Sequence, residues 1–189
     1  MRESAEVQRQ SVGRCTPAII AAADLIAATF HSGGKLLLCG NGGSAADCQH
    51  MASEFVNLLS KEFARPGLPA IALTADAALL TAFANDFAFE GIFARQVQAL
   101  GNPGDSLIGI STSGSSLNVI RAMQAAQATE MATIALTGSS GRLAGMARVA
   151  ISVPSENTQY IQEAHLAIEH TLCALVERQL FAQPDQPEL

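Results

Sequence analysis

The chain has 189 residues, 49% of them hydrophobic and 15% charged, with a net charge of −6. That length suits one domain with a sizeable core, and the acidic balance excludes a general electrostatic footprint for nucleic acid. Cys15, Cys39, Cys48 and Cys173 form no CxxC pair, so reduced buried thiols are expected rather than a zinc ribbon or a disulfide framework. The charged start, Met1-Arg2-Glu3, lacks a signal peptide's apolar core. No apolar stretch reads as long enough to span a membrane, so a soluble, cytoplasmic protein is expected.

Residues 3–31 read as one long helix, with Ile19, Ile20, Ala23, Leu25, Ile26 and Phe30 on a broad apolar face and a kink near Gly13 or Pro17. Such a helix ahead of the first strand suits packing against a partner chain. His31-Ser32-Gly33-Gly34 ends it. A first strand over 35–39 leads into Gly40-Asn41-Gly42-Gly43-Ser44 and a helix over about 44–60. Glycines let backbone approach a ligand closely, and a helix start favours anionic or electron-rich groups. His50 and Glu54 then share one face of that helix, at i and i+4. The pair reads equally well as chemistry or as a surface ion pair.

A second strand, 70–73, precedes a helix over 77–84, which Asn85-Asp86-Phe87 breaks. A further helix covers 89–100. The third strand, 106–110, runs into Ser111-Thr112-Ser113-Gly114-Ser115-Ser116 and a helix over 117–128. Five hydroxyls around one glycine exceed what N-capping needs, and they suit a phosphate held without lysine. The fourth strand, 132–136, is followed by a short helix near Leu143 and a fifth strand, 149–153. Residues 158–181 form the last helix, and 183–189 a frayed tail. Gln162 and His170, eight apart on that helix, fall within about 80° of each other and can share a site; His165 points elsewhere and suits packing or a partner contact. Strands alternating with helices predict an α/β fold, a parallel sheet covered on both faces with ligands at the strands' carboxyl ends. Gly40-x-Gly42 is a weak dinucleotide fingerprint, because no acidic residue stands at the next strand end.

Taken together, Cys39-Gly40-Asn41-Gly42-Gly43-Ser44, His50-x-x-x-Glu54, Asn85-Asp86, Gly109-Ile110-Ser111-Thr112-Ser113-Gly114 and Ile161-Gln162-Glu163 resemble the sugar isomerase (SIS) domain family. Within it they are similar to the sedoheptulose 7-phosphate (phosphoheptose) isomerases, over residues 10–181. The resemblance implies a single SIS domain over 1–189, a three-layer sandwich with a five-stranded parallel sheet. It implies an aldose–ketose isomerase working through an enediol in heptose biosynthesis. It implies that Asn41, Gly42 and Gly43 line the sugar site and that Ser111, Thr112, Ser113 and Ser116 hold the phosphate. Asn85 and Asp86 match substrate contacts. His50, Glu54, Gln162 and His170 match zinc ligands; Glu54 and Gln162 also match substrate-binding positions, and Glu54 and His170 the acid–base residues. A homotetramer with sites shared between chains is implied too. Two departures stand out: Asn57-Leu58-Leu59-Ser60-Lys61 replaces an arginine-containing run, with a longer loop before Arg65-Pro66, and Gln159 stands where an acid is usual. They bear on the substrate more than on the reaction type. The competing readings are a non-catalytic SIS adaptor of replication initiation and a sugar-phosphate-binding regulator. The retained His, Glu, Gln and His argue against the first, and the lack of an attached DNA-binding domain against the second.

Overall fold

The computed structural model describes residues 1–61 and 63–181. Five parallel strands form one sheet in the order β2 (Ala70–Ala72), β1 (Leu36–Gly40), β3 (Ser106–Ser111), β4 (Ala132–Thr137), β5 (Val149–Ser152). The strands read as apolar runs because both faces are covered. Leu36 and Leu38 of β1 face one core, with Ile108, Ile110, Ile134 and Ile151. Leu37 and Cys39 face the other, with Leu107 and Ala135.

On the first face lie α1 (Arg2–His31), α2 (Gly43–Val56) and α6 (Thr158–Phe181). On the second lie α4 (Ile92–Leu100) and α5 (Leu117–Ala128), while α3 (Ala77–Asp86) buries none of its residues. Chain order reverses between β1 and β3, which pair from Leu36↔Ser106 to Gly40↔Ile110. The loops leaving these two strands flank the crevice where such sheets bind ligands.

Several expectations need correction. The helix after β1 stops at Val56, because Asn57 leaves helical geometry there. α3 runs on through Asn85 and Asp86 and breaks only at Phe87. Phe89–Gly91 is a separate 3₁₀ turn before α4. Residues near Leu143 form turns rather than a helix, with Leu143 N–H donating to Gly114 O at 2.9 Å. The expected frayed tail lies outside the described residues.

α1 runs unbroken through Pro17. By length and composition it is long and apolar enough to cross a bilayer, contrary to the expectation from sequence. Its apolar stripe, Cys15, Ile19, Ala22, Ala23 and Ile26, is instead buried in the core that contains α6 and the sheet. Ile20, expected in that stripe, is 48% exposed. At its start, Ser4 Oγ donates to Glu163 and Tyr160 OH donates to Glu3 Oε2 at 2.9 Å, pinning α1 to the first two turns of α6.

α6 is tied to the sheet by His165, whose Nε2 meets Thr137 O at 3.2 Å. Burial lowers the His165 pKa to about 4, so the ring is neutral and packs, as one of its two sequence readings held. Between α2 and α6 lie two carboxyls, Glu169 buried and Asp47 half-buried. Asp47 Oδ2 and both Glu169 oxygens have no hydrogen-bond partner. Burial, then the Asp47 charge, pushes Glu169 up to about 8, and burial also raises Asp47.

Glu169 therefore sets a pH dependence. Its unfolded carboxyl ionises near pH 4.5 and its folded one near 8. In that window the native state holds more protons, so stability falls as pH rises. Glu169→Gln should match wild-type Tm below this window, gain on it steadily through the window, and hold a constant advantage above it. Parallel Tm–pH curves by calorimetry would show that Glu169 ionises normally.

Candidate active site

The first loop is set by glycine. A Cβ on Gly40 would sit 2.7 Å from Ser44 O, so only glycine allows the tight turn from β1 into α2. Gly42 caps α2 with φ +57°, a left-handed conformation that glycine adopts without strain. A Cβ on Gly43 would lie 2.5 Å from Gln162 Nε2. The missing side chain therefore lets the Gln162 amide rest on the loop.

Two turns further along α2, His50 Nε2 meets His170 Nε2 at 2.8 Å, with the rings edge to face. One nitrogen donates and the other accepts. Glu54 Oε1 stands 3.8 Å from His50 Nε2, too far for a hydrogen bond. His50 and His170 are exposed or nearly so and Glu54 is half-buried. The structure thus brings His50, Glu54 and His170 together. Gln162 lies at the level of Gly43, and eight residues of helix offset it from His170 by about 12 Å.

The donor set suits zinc, which takes imidazole nitrogen and carboxylate oxygen. Two nitrogens on one tetrahedral zinc stand roughly 3.3 Å apart, between the 2.8 and 3.8 Å separations found here. The two histidines fit as a seat, with the Glu54 carboxylate beside His50. As they stand, no three His, Cys, Asp or Glu side chains among the described residues close into a metal-binding group.

The second loop follows β3. Ser111 Oγ lies 2.9 Å from Ser116 Oγ and 3.5 Å from Ser113 Oγ. Ser116 is the N-cap of α5, yet its hydroxyl makes no capping bond. Ser111 is buried, Thr112 half-buried and Ser113 exposed. Gly114 turns the loop at φ +60°, and its back packs on Ser140 and Gly141 of the loop after β4.

Asn118, which sequence reading passed over, joins the two loops. Asn41 Nδ2 donates to Asn118 Oδ1 at 2.9 Å, and Asn118 Nδ2 donates to Asn41 Oδ1 at 2.8 Å. Val119 N–H also donates to Asn118 Oδ1, at 2.9 Å. The only signal in the sequence was an amide in the first turn of a ligand-loop helix. Asn85 and Asp86 are not brought to this cluster. They are exposed at the end of α3, where Asn85 Nδ2 donates to Asp86 Oδ1 at 2.8 Å.

Residues 1–138 match the SIS domain model. A phosphoheptose isomerase from Roseiflexus sp. (strain RS-1) is 53% identical over 181 residues, covering 95% of this chain and 91% of that protein. The structure of a phosphoheptose isomerase from Francisella tularensis superposes with a TM-score of 0.89 at 42% identity, covering 94% of both chains. One from Neisseria gonorrhoeae gives 0.87 at 41%, covering 93% of both. On its loops, its His50–Glu54–His170 cluster and these likenesses, the chain belongs to the SIS domain family, in the branch that holds the phosphoheptose isomerases.

Proposed function

We propose that the protein is an aldose–ketose isomerase that converts D-sedoheptulose 7-phosphate to D-glycero-D-manno-heptose 7-phosphate through an enediol. The observation that carries this reading is the meeting of His50 and His170 at 2.8 Å with Glu54 beside them. A non-catalytic adaptor has no use for that cluster. Glu54 carboxylate takes a proton from C1 of the ketose and returns it to C2. His170 gives a proton to the carbonyl oxygen, and its shared hydrogen bond lets His50 hold the proton taken from the neighbouring hydroxyl. The phosphate end is bound by Ser111, Thr112, Ser113 and Ser116 at the start of α5, with amides and hydroxyls in place of a lysine. Gly42 and Gly43 offer backbone to the sugar, with Asn41 held beside them. Four free, buried thiols suit a reducing, cytoplasmic setting.

Zinc would be held by His50, His170 and Glu54, and when bound it would polarise the sugar oxygens. Gln162 would be the fourth and weakest ligand. A homotetramer with shared sites is supported by three features: no residue of α3 is fully buried in one chain, Phe87 and Phe89 are 76% and 57% exposed, and Asn85 and Asp86 stand free of their own chain's histidine cluster. An enediol chemistry also needs cover from water, which one chain does not give His50 and His170.

In D2O, the wild type should exchange the C1 proton of sedoheptulose 7-phosphate, followed by NMR. Glu54→Gln should slow this exchange about 10²–10⁴-fold. Exchange at the wild-type rate in that variant would remove Glu54 as the base.

Ser113→Ala with Ser116→Ala should raise KM while kcat holds. Each hydrogen bond lost to a charged oxygen costs roughly 1.5–3 kcal/mol, or about ten- to hundredfold in KM. An unchanged KM in the double variant rejects the phosphate assignment.

Light scattering with metal analysis on one sample tests assembly and zinc together. A tetramer with near-stoichiometric zinc is expected, and His50→Ala should lose the metal while keeping the fold. A micromolar monomer overturns the shared site, and full turnover after exhaustive demetallation overturns the zinc.

A further inference from the structure

Arg65 belongs to no motif, yet its side chain is fully buried. α2 ends at Val56, and the last carbonyls of a helix lack amide partners of their own. Arg65 takes up two of them, at Glu54 and Phe55. Nη2 donates to Glu54 O at 2.7 Å, and Nη1 donates to Phe55 O at 2.7 Å, to Pro66 O at 3.0 Å and to Asn57 O at 3.5 Å. Nε and Nη2 reach Glu177 Oε1 of α6 at 2.7 and 2.6 Å. Leu59 N–H donates to the same oxygen at 3.4 Å. Glu177 follows His170 by seven residues, which puts it on the same stripe of α6 about two turns on.

We propose that Arg65 is a positioning residue for the isomerisation: by gripping the Glu54 carbonyl and α6 at once, it sets Glu54 relative to His170. The inference rests on the base role given to Glu54 above. Stability alone is a weak account of this arrangement, because a desolvated ion pair is seldom better than apolar packing. A glycine cap would also end α2 with fewer buried charges. What the guanidinium adds is geometry: its planar fork serves several carbonyls and a carboxylate in fixed directions, which an ammonium cannot.

Arg65→Lys and Glu177→Gln test this in the full-length protein, after circular dichroism and Tm have confirmed folding. Both should lower kcat about 10- to 100-fold, with KM for the sugar phosphate held within about threefold because the 111–116 loop is untouched. C1 proton exchange should slow in the same proportion. If both variants lose Tm but keep kcat within about twofold at 25 °C, Arg65 only holds the fold and the inference is overturned. A raised KM with unchanged kcat overturns it as well. Glu177→Gln preserves shape, so it decides the matter if Arg65→Lys does not fold. Wild-type turnover in Glu54→Gln sinks both the base role and this inference. An inactive Glu54→Gln beside unaffected Arg65→Lys and Glu177→Gln sinks this inference alone.

Discussion

The site depends on the register between α2 and α6, two helices that run side by side in the same direction. Three contacts define it: Gln162 on Gly43, His170 on His50, and Glu177 on Leu59 and Arg65. A slip of one residue would rotate every α6 side chain by about 100° and shift it 1.5 Å, separating the histidines. α2 cannot slip, because Gly40 turns it tightly off β1 and Arg65 holds its far end. α6 cannot slip, because His165 binds the end of β4 and α1 packs along it.

That interface is more polar than packing alone requires. His165, Glu169 and Glu177 are all buried, and Asp47 and Glu169 keep oxygens without partners. Buried polar atoms without partners cost stability. Glu169 avoids the further cost of a buried charge by staying protonated near neutral pH, and Glu177 is paired with Arg65. The apolar side of α2, Cys48, Met51, Ala52 and Phe55, carries the packing. His50 and Glu54 are thereby left at the surface, where substrate can reach them.

The two ligand loops behave as one unit for a related reason. Asn41 and Asn118 exchange amide hydrogen bonds across the crevice between β1 and β3. Behind the hydroxyl loop, Gly114 and Gly141 approach too closely for side chains on either, and Thr112 O accepts from Gly138 N–H at 3.1 Å. The loop after β4 thus braces the loop after β3. A sugar phosphate that spans the crevice would meet a surface already set before it binds.

Much of this was legible in the sequence, for local reasons. Apolar runs bounded by glycine or hydroxyl residues gave away the strands and the loops at their carboxyl ends, because backbone geometry dictates those residue types. The spacing of His50 and Glu54 placed both on one helix face by helical period alone. Tertiary structure decided the rest. Which helix face meets which is a matter of packing, so the contact of His50 with His170 across 120 positions and the resting of Gln162 on Gly43 came only with the fold. Arg65 looked like loop residue and Asn118 like helix start, since a hydrogen bond to a distant partner leaves no periodic trace. The true end of α2 was hidden for the same reason: Leu58 and Leu59 continue a plausible helical pattern, but the carbonyls there are taken by an arginine that only the folded loop delivers. Asn85 and Asp86 sat next to each other in sequence with a family role implied, yet the fold of one chain leaves them exposed at the end of α3, hydrogen-bonded to each other.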